Sequence, residues 1–410
     1  MTRIFSPRRC RITCMFDFTR IPVELYRNIF QYASQKELVS LSQASHTFQK
    51  EAEDILYYQV DLQKTHKNRR LAMTWCTAVV KNERRARCVN ALKFPSTFKT
   101  PLTEDFSFDI QAAIARAFNA IVNLKHLWLL GVGEKYTASL HPATLKDCTF
   151  SLLSLGGQTS SFGPEDMWEF LSRHPHLEYW APTVPLLNAI SSIPTHVVLS
   201  LRRVVLVDPS KVLSLANRPI NYMCLVFVAP VLNLSAGLDA IISLRPISDT
   251  LHTLSITHGP LQNWSTLDLL LCLGSSSPHL KSLAFSTFGN VHEVIQKWNR
   301  QKIVDAISCF YRLETLVLAT PTAAVRDFNE ASYGQENIKN WKKTSLNPDE
   351  CREVASLVIQ SSKTLVRITL PFESITGTVR SLTYSRSTTD PSEAKFEGFH
   401  IISTTGWWMR

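Results

Sequence analysis

Apolar residues in the first sixty positions fall at helical spacing. Pro22 suits a first helical position, where its missing N–H costs nothing. Leu25, Ile29 and Tyr32 or Ala33 then recur at i, i+4 and i+7 or i+8, one face of a helix. Ser34 and Glu37 stand three apart, a capping-box pattern that opens a second helix with Leu38 and Leu41 inward. A third helix is predicted from about His46 to Tyr57, carrying Phe48, Ala52 and Ile55. Beyond it the pattern changes to short runs of the form L-x-x-L-x-L. These are Val89/Leu92/Phe94, Leu124/Leu127/Leu129, Phe150/Leu153/Leu155, Leu201/Val204/Leu206, Tyr222/Leu225/Phe227, Leu251/Leu254/Ile256, Leu280/Leu283/Phe285, Leu313/Leu316/Leu318 and Leu365/Ile368/Leu370. A weaker copy starts at Leu177. Most successive starts lie 21 to 35 residues apart.

Helical patterns lie between these runs. Phe108 to Val122 carries Ile110, Ile114, Phe118 and Ile121, and Pro164-Glu165-Asp166-Met167 opens a helix that stops before Pro175. Asp208-Pro209 and Asn347-Pro348 each place an N-cap residue before a proline. The predicted unit is strand, turn, helix and return. Stacked units give a parallel sheet on a concave side and helices on a convex side, an α/β fold. The three early helices carry more apolar side chains (Ile21, Leu25, Ile29, Phe30 and Leu38) than one small core can cover, which predicts a docking surface.

The run Ile21-Pro22-x-Glu24-Leu25-x-x-x-Ile29-Phe30, then Glu37-Leu38-x-x-Leu41, then Ser45-His46-x-Phe48, resembles the F-box. Ile21 replaces the usual leading Leu, and Ala33 stands where a Leu is common. The resemblance covers about a tenth of the chain. It implies docking on a Skp-family adaptor and, through it, a cullin. It also implies that Ile21, Pro22, Leu25, Ile29, Phe30, Leu38, Leu41 and Phe48 face or support that adaptor.

The body resembles the irregular leucine-rich repeats that often follow an F-box. One feature of those repeats is missing. The Asn or Cys expected three residues after the last Leu is replaced by Val132, Gln158, Pro209, Gly259, Phe288, Pro321 and Glu373. Each repeat must then satisfy its turn in its own way. The expected organisation is a disordered basic tail over 1–20, an F-box-like helical domain over 21–62, a basic helical linker over 63–88 and a repeat solenoid over 89–405. An insertion over 321–349, with Phe328, Tyr333 and Trp341, is a candidate target-binding loop or a self-packed one. Trp407 and Trp408 are expected to cap the last repeat.

Charge sharpens this division. The chain has 410 residues and a net charge of +10. Five Arg against Asp17 fall in the first twenty residues, and nine Lys/Arg against Glu83 fall in 64–93. The rest is near neutral, which argues against a nucleic-acid-binding body. Lys64, Lys67, Arg69, Arg70, Lys81, Arg84, Arg85 and Arg87 are expected to form a solvated helical face that could still grip phosphate. No apolar run approaches the length of a membrane span. Nine scattered cysteines without a secretory leader pattern read as reduced thiols in a cytoplasmic or nuclear protein. Cys10 and Cys14 lack further metal ligands nearby.

Catalytic motifs are lacking. There is no phosphate loop, Gly131-Val132-Gly133 is too short for a dinucleotide fingerprint, and there is no GxSxG elbow. His292-Glu293-x-x-Gln296 lacks the second histidine of a zinc motif. His174 and His176 flank Pro175 and read as turn histidines. The resemblance to the F-box and its repeats implies a non-enzymatic substrate receptor of a Skp–cullin–F-box ubiquitin ligase, with no cofactor and an unidentified protein target. A repeat scaffold without a ligase is the alternative, and a nucleic-acid role led by 64–93 is the third reading.

Overall fold

The computed structural model describes residues 22–62, 68–95, 97–98, 104–130, 138–157, 162–182, 193–206, 209–227, 238–239, 241–258, 266–287, 300–319, 348–373, 379–388 and 394–400. The expectations for Ile21, the basic tail, the near-zinc motif, Cys10, Cys14, Trp407 and Trp408 lie outside these residues. So do Lys64, Lys67, Phe328, Tyr333, Trp341 and all but the last two positions of the 321–349 insertion.

Three helices open the described chain: α1 (Val23–Phe30), α2 (Gln35–Ala44) and α3 (His46–Tyr58). Pro22 is the N-cap of α1 rather than its first residue. The Ser34–Glu37 capping box is present: Ser34 N–H donates to Glu37 Oε2 at 2.7 Å, and Glu37 N–H donates to Ser34 Oγ at 3.4 Å. Ser45 caps α3 by accepting from Phe48 N–H at 3.1 Å. Tyr26, Phe30, Leu38 and Ala52 are buried among these helices. The Tyr26 and Phe30 rings lie 5.0 and 5.5 Å from that of Phe48.

The rest is an α/β assembly around a thirteen-stranded sheet. Its strands are β1 (Gln59–Asp61), β2 (Ala91–Pro95), β4 (His126–Leu130), β6 (Ser154–Gly157), β7 (Tyr179–Pro182), β8 (Arg203–Leu206), β9 (Tyr222–Phe227), β10 (Thr253–His258), β11 (Ser282–Thr287), β12 (Thr315–Ala319), β13 (Arg367–Glu373), β14 (Val379–Arg386) and β15 (Ala394–His400). They follow sequence order across the sheet, and every pair from β1 to β13 is parallel. β3 (Thr97–Phe98) and β5 (Ala138–Ser139) form a separate antiparallel pair. The connections are α4 (Asn68–Lys81), α5 (Glu83–Cys88), α6 (Glu104–Ala120), α7 (Pro164–Ser172), α8 (Thr266–Ser276), α9 (Arg300–Ser308), α10 (Pro348–Gln360) and three short 3-10 turns. Pro209 opens one of those turns, Pro209–Leu215, not an α-helix. Among the described residues, no helix is long and apolar enough to cross a membrane.

One register row carries the core: Val60, Leu92, Leu127, Leu155, Trp180, Val204, Met223, Leu254, Leu283, Leu316 and Ile368 are paired partner to partner and buried. Each fully buried Leu of this row contributes roughly 2 kcal/mol of hydrophobic stabilisation. Two expected triplets are displaced by two residues. Leu152/Leu155/Gly157 takes the place of Phe150/Leu153/Leu155, and Ile220/Met223/Leu225 that of Tyr222/Leu225/Phe227. A slip of two preserves which face is apolar, so periodicity alone does not resolve it.

The sheet also begins earlier than the triplet at Val89. β1 follows α3 directly, and Leu62, Ala72, Trp75, Cys76 and Val79 join the same buried cluster as Leu92. At the far end, β14 and β15 are antiparallel, so the strands over 89–405 are not all parallel as expected.

The expected Asn positions Val132, Gln158, Gly259, Phe288 and Pro321 lie outside the described residues, and the regular hydrogen bonding that is described lies at the strand starts. Before each strand one carbonyl accepts two successive N–H groups from the next unit. Lys125 O serves Leu153 and Ser154, Glu178 O serves Arg202 and Arg203, and Lys281 O serves Glu314 and Thr315. The same pattern links Asn90, Leu153, Arg202, Asn221, His252 and Glu314 to their successors, so the starts of these strands are held in a uniform way. Carbonyls left at helix ends and in turns are met by arginines. Arg173 donates to Leu145 and Lys146, Arg218 to Pro194, Val197 and Ser214, and Arg386 to Ile359, Ser362 and Leu365. Gly157 has φ +99°, and a Cβ there would lie 1.9 Å from Leu129 O, so only glycine fits.

Candidate functional site

The helical unit has two apolar stripes on α1. The inward one is Tyr26 and Phe30, continued by half-buried Ala33. The outward one is Leu25, Ile29 and Tyr32, which are 48%, 56% and 91% exposed. Val39 on α2 is exposed as well. Of the expected docking residues, Pro22, Leu25 and Ile29 are exposed. Phe30 and Leu38 are buried in the unit's interior, and Leu41 and Phe48 are half-buried against it. Tyr32 belongs to the stripe expected from the sequence but not to the expected docking residues, and Val39 was not singled out. Both stripes have helical spacing, and only packing against α3 decides which turns inward.

The unit is tied to the sheet by charge. Glu53 on α3 accepts from Arg84, from Arg85 at 2.6 Å and from Gln49 at 3.2 Å. Its side chain is only 6% exposed. Burial pushes the Glu53 carboxyl up, but hydrogen bonds from Arg85 and Gln49 and the charges of Arg85 and Arg84 outweigh it. The carboxyl sits below its ordinary range. Asp54 lies 3.5 Å from Arg84 and accepts from the Cys88 thiol at 3.0 Å. Arg87 pairs with Glu83 at 2.5 Å. Three members of the expected basic cluster are thus held by carboxylates, whereas Arg70 and Lys81 are exposed.

The second face of the sheet is the other candidate surface. Side chains alternate along a strand, so His126, Ser154, Tyr179, Arg203 and Tyr222 share the face opposite the core row. His126 Nδ1 lies 2.7 Å from Ser154 Oγ, and the Arg203 guanidinium lies 6.0 Å from the centre of the Tyr179 ring. Trp128 spreads over Gly156, where a Cβ would meet its Cδ1 at 2.8 Å. On this face His126, Trp128 and Arg203 are half-buried and Ser154, Tyr179 and Tyr222 are buried, and it carries polar groups where the core face is apolar.

Groups with reactive chemistry are spent on structure. His174 stands at the turn before Leu177, whose N–H donates to its carbonyl at 3.0 Å, but its side chain is buried in the core. Its Nδ1 accepts from Leu152 N–H at 3.4 Å, and its ring lies between Phe150 and Phe170, 5.9 and 4.5 Å away. Burial, then the Arg173 charge, pushes its pKa down to about 4, so it is neutral at pH 7. His176 is exposed, and the two histidines are not brought together. Burial pushes the thiols of Cys76, Cys88, Cys148 and Cys351 up to about 12 and that of Cys224 to about 11, which keeps them protonated. Among the described residues, no group of three or more His, Cys, Asp or Glu could hold a metal ion. The chain matches no protein-family model, and no curated protein is significantly similar to it.

Proposed function

We propose that the chain is a non-enzymatic substrate receptor of a Skp–cullin–F-box ubiquitin ligase. The helical unit over 21–62 is the F-box-like module, and the sheet with its helices is an irregular leucine-rich-repeat solenoid that holds a target. The observation that carries this reading is the outward stripe Leu25–Ile29–Tyr32. It remains exposed although the unit's own core of Tyr26, Phe30, Leu38 and Ala52 is complete. Apolar side chains left over from a filled core mark a docking surface.

The parallel strands, taken in chain order with one per unit, support the solenoid. The Glu53–Arg84/Arg85 network supports a fixed angle between module and solenoid, as a receptor needs in order to hold its target at a set distance. Catalysis by the assembly is then chiefly proximity, since holding a target lysine nearby raises its effective concentration. Phe30, Leu38, Leu41 and Phe48 support the docking surface from within, and Leu25, Ile29, Tyr32 and Val39 make the contact.

Co-purification of the full chain with a Skp-family adaptor tests this, beside a Leu25→Asp/Ile29→Asp variant. Binding by the wild type that is lost in the folded variant supports the receptor. A folded wild type that captures no adaptor rejects it and leaves a repeat scaffold without a ligase.

A further inference from the structure

We infer that the second face of the sheet, around β7 and β8, binds an anionic side chain of a target polypeptide with Arg203 as its counter-ion. This rests on the reading of the sheet as a target-holding surface. The eight strands β4 and β6 to β12 contain no Asp or Glu at any position, and Arg203 is their only Lys or Arg. A guanidinium stays ionised at any physiological pH and is costly to desolvate without an anion. Arg203 is half-buried, and no carboxylate among the described residues pairs with it. Six other arginines have such partners: carboxylates for Arg84, Arg85 and Arg87, and carbonyls of helix ends and turns for Arg173, Arg218 and Arg386.

The surroundings favour one anionic group set among apolar or aromatic neighbours. Tyr179 is the register partner of Arg203, and its ring stacks near the guanidinium, which orients the donor fork. Two strands from Arg203, Gly156 on β6 is covered by the Trp128 indole, with Ala181 beside it on β7. Small residues next to a broad indole give a shallow floor for a neighbouring side chain of the ligand. His126 reports the same positive field. Its pKa is lowered first by burial and then by the charges of Arg203 and Lys125, with no carboxylate opposing them. An anion at Arg203 would relieve that field.

The test uses the full chain to select from a random peptide library and from a second library containing phosphoserine. The expected result is enrichment of Asp- and Glu-rich peptides, of phosphoserine peptides, or of both. Binding of the selected peptides should fall by about tenfold or more in Arg203→Gln, since the charge-assisted pair is lost. The two libraries tell carboxylate from phosphate. Neutral or basic peptides from both libraries, or anionic peptides that bind Arg203→Gln as well as wild type, overturn the assignment. Circular dichroism confirms that the variant is folded. Adaptor binding is measured on the same preparations. Peptide loss with adaptor retained concerns Arg203 alone, whereas a wild type that binds peptide but no adaptor rejects the ligase reading and leaves this one standing.

Discussion

His174 makes the chain sensitive to mild acid in a window that can be assigned to one side chain. Its imidazole is buried between Phe150 and Phe170, and its Nδ1 is taken by the Leu152 N–H. With Nδ1 accepting, the neutral ring carries its proton on Nε2, which has no hydrogen-bond partner among the described residues, and a second proton would have to enter at Nδ1 against the Leu152 N–H. Above pH 6.5 the ring is neutral in both folded and unfolded chains, and stability is unaffected. Between 6.5 and about 4 the unfolded chain takes up a proton that the folded chain refuses, so stability falls as pH falls. The full difference corresponds to about 3 kcal/mol, reached near pH 4. His174→Gln keeps an acceptor for Leu152 but cannot titrate. Urea midpoints followed by circular dichroism at pH 7, 6 and 5 should show the wild type losing about 0.7 kcal/mol between pH 7 and 6 and about 1 kcal/mol between pH 6 and 5 relative to the variant. Parallel curves for the two proteins would refute the argument that His174 is held neutral by burial.

Glu53 acts in a lower window and at another place. Because its folded pKa is lowered, its contribution is present above the ordinary carboxyl range and is lost as pH falls through the folded value. Glu53→Ala removes the partner of Arg84 and Arg85 and should cost about 2 kcal/mol, less than a fully buried pair because the arginines remain partly solvated. Thermal unfolding at pH 7 checks this, with Arg87→Ala, whose pair is exposed, as the near-neutral control. Gly157→Ala forces a Cβ against the Leu129 carbonyl at a positive φ and should lower stability by about 3 kcal/mol or more, seen as a lower urea midpoint.

The stacked-strand architecture was legible because one apolar residue recurs at the same place in each unit, from Leu92 through Leu127, Leu254, Leu283 and Leu316. The register failed at β9, Tyr222–Phe227, because an all-apolar or aromatic run has no polar residue to mark its faces. β1 escaped notice because Tyr57-x-x-Val60-x-Leu62 begins in the last turn of α3, where the same residues fit a helical pattern. In α1 the sequence offered two stripes of equal spacing. The inward choice of Tyr26 over Leu25 is set by the Phe48 ring, on a helix twenty residues away. The Arg203 surface carried no sequence signal, since a single charge becomes notable only once the register shows that its neighbours have none.

The central claim is tested most directly by the affinity of the full chain for a purified Skp-family adaptor, measured by calorimetry beside Leu25→Asp/Ile29→Asp. Burying the exposed halves of two aliphatic side chains is worth about 2 kcal/mol, and two carboxylates placed there add a desolvation cost. The account therefore predicts tight wild-type binding that weakens by about a hundredfold or more in a variant of unchanged stability. A wild type that shows no heat of binding, or a variant that binds equally well, contradicts it.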